Sequence, residues 1–305
     1  MQTPIPGIRV SDEVQHAIEH GGPVLALEST ILSHGLPRPR NLAVGLESEE
    51  QVRAAGVVPA TIGVIGGVPT VGLSAAEIER LCAVDDVVKV SVRDLPVAAA
   101  KRLDGGTTVA ATAWLAHRCG IRVMSTGGLG GVHRGASETF DESADLGTLA
   151  VTPITLVSAG VKSILDIGAT LERLETLNIP VVGYRTNRYP GFYVADSGFA
   201  LEYRIESPAD AAALARARDE LGLAAAVLVA NPIDEAEQLD PEHHDRVLAE
   251  ALAAASDAGI TGHDTTPFLL DHVQRATGGR SLEVNLEVYR GNVALGAEIA
   301  RAVAG

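Results

Sequence analysis

Short apolar runs separated by segments of helical periodicity recur from one end of the chain to the other, and this alternation limits the fold more than any other feature. The runs at 23–27, 57–71, 87–94, 121–125, 151–157, 180–184 and 224–229 read as strands, the second interrupted by a Gly66-Gly67 turn. Between them, 11–20, 42–55, 74–82, 104–118, 166–177, 208–221, 241–257 and 267–277 carry helix signals, with Ser74 and Glu77 spaced as a capping box. A last helix is expected from about Ser281, carrying Asn285 and free to break at Gly291. Such alternation implies an α/β fold of three layers, α/β/α, about a mixed, mostly parallel central sheet, with the strand order left open. No linker, charge block or repeat divides the 305 residues, so 1–305 is expected to be a single domain.

A net charge of −15 leaves no basic footprint for nucleic acid or an anionic membrane surface, and neither is an expected partner. An anionic substrate must then be held by a local arrangement. The N-terminal residues lack a basic stretch followed by an apolar core, and no run approaches the length of a membrane span, so a cytoplasmic location is expected. Cys82 and Cys119 are too few for a disulfide framework and lack metal-ligand spacing; they read as buried small hydrophobes.

Only three of the 24 basic residues are lysines: Lys89, Lys101 and Lys162. Lys162 stands in a stretch, 149–165, of almost wholly apolar or small residues, where an ammonium must find a partner or lose its proton. A deprotonated amine is a nucleophile, which a guanidinium cannot become. The structural alternative is a lysine that snorkels from a strand end.

Other candidates lie at the ends of the predicted strands. Glu28 follows the run at 23–27, the expected place for an acid or base in an α/β active site, although a turn or cap role would also suit it. Residues 31–41 read as an irregular loop over a site. A strand through 87–94 would put Lys89, Ser91 and Arg93 on one cationic face. Gly105-Gly106 reads as a turn that leaves the N–H groups of Thr107, Thr108 and Val109 free at a helix start, suited to phosphate. The five glycines of 126–135 match no dinucleotide or P-loop spacing. Asp141 and Asp145 would share a helical face, or flank a hard cation from a loop. The loop 186–197, rich in Tyr, Asn and Gly, is placed to cover a ligand.

Several of these stretches together resemble one family. They are Ala-Leu-Glu-Ser-Thr-Ile-Leu-Ser-His-Gly-Leu-Pro (26–37), Pro-Ala-Thr-Ile-Gly-Val (59–64), Lys-Val-Ser-Val-Arg-Asp (89–94) and Gly-Gly-Thr-Thr-Val-Ala-Ala-Thr (105–112). Gly-Gly-Val-His-Arg-Gly-Ala (130–136), Ser-Ala-Asp-Leu (143–146), Val-Lys-Ser-Ile-Leu-Asp-Ile (161–167) and Thr-Pro-Phe-Leu-Leu (266–270) continue the series. In this order they resemble the pseudouridine-5'-phosphate glycosidases, also called pseudouridylate synthases, of the indigoidine-cluster A family.

That resemblance implies a homotrimeric α/β/α enzyme with a divalent metal, typically Mn2+, that reversibly splits pseudouridine 5'-phosphate into uracil and ribose 5-phosphate. It implies Lys162 as nucleophile, Glu28 as proton donor and Asp141 as metal ligand. Lys89, Val109, Ser143, Ala144 and Asp145 would contact substrate, with His133 and Asn285 near the ribose. The base leaves on carbon, so a lysine that attacks the anomeric carbon, opens the ring and forms an imine offers a route that a pair of carboxylates does not. Lys89 would help to keep Lys162 neutral and could hold the phosphate. Departures from the family pattern fall at Glu142, His263, Asp234 and Arg290-Gly291. A Schiff-base lyase on another sugar phosphate, and a non-catalytic sugar-phosphate sensor, are the alternatives.

Overall fold

The computed structural model describes residues 6–260 and 265–305. In chain order the strands are β1 (Arg9–Val10), β2 (Val24–Leu27), β3 (Val58–Ile65), β4 (Val68–Val71), β5 (Val88–Val90), β6 (Gly105–Thr107), β7 (Val123–Ser125), β8 (Thr155–Ser158), β9 (Val181–Tyr184), β10 (Tyr203–Ile205) and β11 (Val227–Ala230). The helices are α1 (Asp12–Glu19), α2 (Arg40–Ala54), α3 (Ala75–Ala83), α4 (Leu95–Lys101), α5 (Val109–Arg118), α6 (Ala136–Thr139), α7 (Ala144–Leu149), α8 (Ile167–Thr176), α9 (Pro208–Glu220), α10 (Pro241–Asp257), α11 (Thr265–Ala276) and α12 (Arg280–Ala304).

Among the described residues the strands form one sheet in the order β1-β4-β3-β2-β7-β8-β11-β9-β10, with β6 pairing β3 and β5 pairing β6. From β3 across to β10 every neighbouring pair is parallel. β4 and β6 pair antiparallel with β3, and β1 and β5, parallel to β4 and β6 respectively, share that opposite direction. The mixed, mostly parallel sheet expected from the alternation is therefore present, and side-chain alternation along each strand divides the core in two. Leu25, Leu27, Val123, Val157, Val182 and Val229 pack with α2, α3, α9 and α12. Val24, Ala26, Met124, Leu156, Leu228 and Ala230 pack with α1, α5, α7, α8, α10 and α11. Among the described residues no helix is long and apolar enough to cross a membrane.

Several local expectations change. The strand expected through 87–94 stops at Val90, because the Ser91 N–H turns back to Asp94 Oδ2 (2.9 Å) and starts a 3-10 turn, Val92–Asp94. Arg93 thus leaves the face that carries Lys89. Residues 31–41 are irregular only over 36–39: Ile31–Gly35 forms a π-helical turn, α2 begins at Arg40, and Asn41 Nδ2 pins the Leu32 carbonyl at 2.8 Å. Gly105 and Gly106 form a strand instead of a turn. The final helix runs unbroken through Gly291, since one helical glycine costs only about 1 kcal/mol and packing on both flanks outweighs it. β1 and β10 were not expected; they are two and three residues long and too short for periodicity to reveal. Both cysteines are buried as expected, and burial pushes their thiols up to about 11.

Leu156, fully buried in central β8, is one measure of how tightly the layers pack. Leu156→Ala is expected to lower unfolding free energy by about 2–5 kcal/mol in urea titration, with secondary structure retained.

Candidate active site

The parallel strands β2, β7, β8 and β11 carry their next residues to one edge of the sheet, where ligands of open α/β folds bind. Glu28 follows β2 and Thr126 follows β7, and the Thr126 hydroxyl donates to Glu28 Oε1 at 2.6 Å. Glu28 is buried, and this desolvation pushes its carboxyl above the ordinary 4.5. Lys162 opposes the shift most strongly, followed by the Thr126 bond; the Asp145 charge reinforces it and Lys89 opposes it weakly.

Lys162 is half-buried in the segment that follows β8. Val161 pairs with Leu129, and the Lys162 N–H donates to Leu129 O at 3.2 Å. The Val161 N–H donates to the Tyr189 hydroxyl at 3.0 Å, which satisfies a buried backbone group that no strand reaches. Gly160 makes the bend at φ +78°, and a Cβ there would come within 2.6 Å of Pro190 O. In the loop 186–197, Tyr189, Phe192 and Tyr193 are buried, and Tyr189 braces the segment that presents Lys162.

Lys89 sits at the centre of β5. The residue as a whole is exposed, but burial of its ammonium end, and then the Lys162 charge, hold its pKa below the ordinary lysine range. Asp145 and Glu28 pull the other way. The two lysines and two carboxyls thus share one electrostatic environment, as the scarcity of lysine suggested. His34, lowered by burial and by Lys89, lies at its margin.

Asp145, in the first turn of α7, accepts from the Ala110 N–H and the Gly130 N–H, both at 2.9 Å. Its neighbours Ser143 and Ala144 form the cap and first residue of that helix. Asp141 precedes α7, so the two aspartates do not share a helical face. Gly130 explains part of the glycine-rich stretch: a Cβ there would lie 2.2 Å from Ser143 Oγ and 2.8 Å from Asp145 Oδ2. The expected trio of free N–H groups is reduced, because Thr107 N donates to Ser29 Oγ and Thr108 N to Val90 O, each at 2.9 Å. Val109, buried at the first position of α5, remains the candidate backbone contact.

His133 Nδ1 lies 3.8 Å from Asp141 Oδ2. Among the described residues no three His, Cys, Asp or Glu side chains converge on a metal position. Asp141 supplies one carboxylate, a donor set that suits a hard cation held mostly by water. Asn285, on α12, has a buried Oδ1 without a partner among the described residues, close to where a side chain on Gly127 would begin (3.6 Å). Such an acceptor suits a hydroxyl-bearing ligand.

Of the departures, Glu142 pairs with Arg173 at 2.8 Å, Arg290 with Glu47 and Glu287, and Asp234 Oδ1 caps a turn at Ala236 N. None enters the cluster around Lys162; His263 lies outside the described residues. Sequence reasoning missed Thr126, Tyr189 and Asn292. Thr126 follows a strand end as Glu28 does, so the same positional signal could have found it. Tyr189 and Asn292 act through contacts distant in sequence.

A family model described as indigoidine synthase A like protein matches residues 13–302. The chain is 68% identical over 296 residues to a pseudouridine-5'-phosphate glycosidase of Saccharopolyspora erythraea, covering 97% of this chain and 98% of the relative. Identity is 59% to the enzyme of that name in Frankia alni, over 97% and 82% of the two chains. Among solved structures, the prealnumycin C-glycosynthase AlnA in complex with ribulose 5-phosphate superposes with a TM-score of 0.92 at 37% identity, covering 99% of this chain and 98% of that one. An indigoidine synthase A-like protein of Thermotoga maritima gives 0.89 at 34% identity over the full length of both.

The raised pKa of Glu28 has a consequence for stability. Above about pH 4.5 the folded chain keeps a proton on Glu28 that the unfolded chain releases, so this group's contribution to stability falls as pH rises through that window. Glu28→Gln removes the penalty. Urea titrations should show the variant more stable than the wild type at pH 7, the difference closing as pH drops below 4.5.

Proposed function

The chain belongs to the indigoidine synthase A-like family, and from that premise we propose that it is a pseudouridine-5'-phosphate glycosidase. It splits the C-glycosidic bond of pseudouridine 5'-phosphate reversibly to give uracil and D-ribose 5-phosphate. The observation that carries this reading is a lysine and a neutral-leaning carboxyl sharing one sheet edge, in a chain 68% identical to an enzyme of that name.

The Nζ of Lys162, attacking as a free amine, bonds to C1' of the ribose as the bond from C1' to the ring oxygen breaks, and that oxygen takes the proton that the nitrogen releases. The nitrogen lone pair then closes an imine while the bond from C1' to the base breaks. Glu28 delivers its proton to the carbon of uracil that departs. Water hydrolyses the imine, releasing open-chain ribose 5-phosphate and restoring the amine. Lys89 attracts the phosphate, and the Val109 N–H is a second donor to it. Ser143, Ala144 and Asp145 line the substrate, and His133 and Asn285 bind ribose hydroxyls. A divalent cation, Mn2+ in this reading, would be held by Asp141 and water and would neutralise charge on the phosphate oxygens. The whole chain acts as one domain and assembles as a homotrimer.

A second reading, a Schiff-base enzyme for another sugar phosphate, draws on the C-glycosynthase that shares the fold. Product analysis separates the two: purified, metal-loaded protein should release uracil from pseudouridine 5'-phosphate. Borohydride with ribose 5-phosphate should attach the sugar to Lys162, located by peptide mass mapping. A label on Lys101, or none, would exclude the mechanism. Glu28→Gln should still form the adduct while losing about 10²–10⁴-fold in cleavage rate.

A further inference from the structure

Asn292 lies on α12 seven residues after Asn285, so the two side chains share a helix face. It is 1% exposed, yet every polar group of its side chain is bonded. Nδ2 donates to Thr126 O at 2.8 Å and to Gly127 O at 3.0 Å, while Oδ1 accepts from Asn231 Nδ2 at 2.9 Å. Its backbone carbonyl accepts from Ser125 Oγ at 2.9 Å. Gly296 keeps that approach open, since a Cβ there would fall 1.9 Å from the same oxygen. One amide thus ties the turn after β7 to the residue after β11, and that turn carries the hydroxyl bonded to Glu28.

We propose that Asn292 is a positioning residue for proton transfer: by holding the carbonyls of Thr126 and Gly127 it aims the Thr126 hydroxyl at Oε1 of Glu28 and leaves the transferable proton on Oε2. The inference rests on Glu28 being the proton donor. A carboxyl oxygen that accepts from a hydroxyl is the poorer place for the acidic hydrogen, so the donor selects the other oxygen. With the clamp gone, the turn relaxes and the hydroxyl bond weakens. The proton is then shared between both oxygens, and Glu28, deprived of a bond that favours its charged form, holds it to higher pH.

The test is a carbon NMR titration of protein labelled at the glutamate carboxyl carbon, with Glu28 assigned by its loss in E28Q. Both N292A and T126V should shift the Glu28 titration to higher pH, and T126S should restore it. N292A should also lower kcat for uracil release about tenfold while KM stays within about twofold. A wild-type Glu28 titration in folded N292A makes Asn292 purely structural and overturns the proposal, whatever the loss of stability. Should N292A not fold, the near-isosteric N292L removes the same two donated bonds while keeping the volume filled; an unmoved Glu28 resonance there rejects the proposal equally. A wild-type protein that releases no uracil, while Glu28 still responds to Asn292, counts against the proposed function and leaves the positioning intact.

Discussion

A carboxyl group taken out of water beside two lysines is the constraint that organises this molecule. Desolvation alone would keep Glu28 neutral, and the charges of Lys162 and Lys89 draw it back towards ionisation. Lys89 lies in the same field, with burial and Lys162 lowering it and the two carboxyls raising it. The balance exists only if the surroundings stay dry and the positions stay fixed.

Much of the structure around the sheet edge supplies that rigidity. Parallel β2, β7, β8 and β11 set the four positions laterally, and the two helical layers close off solvent from either face. The aromatic side chains of 186–197 are buried, and among them Tyr189 satisfies the Val161 N–H. Asp145 is held by two backbone N–H groups from separate segments, fixing a negative charge opposite Lys89. Gly128, Gly130 and Gly131 let the side chains of Phe192, Ser143 and Thr170 approach the backbone where a Cβ would collide.

Lys162, Glu28 and Lys89 were legible because each breaks a local pattern. A lysine in an apolar stretch, a carboxylate at the end of a buried strand and a scarce lysine on a polar face all call for explanation. The face itself was misjudged, since Asp94 ends the strand by capping Ser91, a contact three residues long that alternation cannot register. Residues 31–41 looked irregular because of their prolines and glycine, yet the buried Asn41 fixes them.

The amino-acid order by itself determined the class of fold, through alternating periodicities that permit only helices layered on a largely parallel sheet, and it marked the candidate site groups by their chemical type. Tertiary structure alone decided which of those groups meet. The strand order brings β2, β7, β8 and β11 side by side, and through it Glu28 reaches Thr126 across 98 positions of chain, and Asn292 reaches the same turn across 166. Pairings over such separations depend on the packing of the entire core, which no local run of residues encodes.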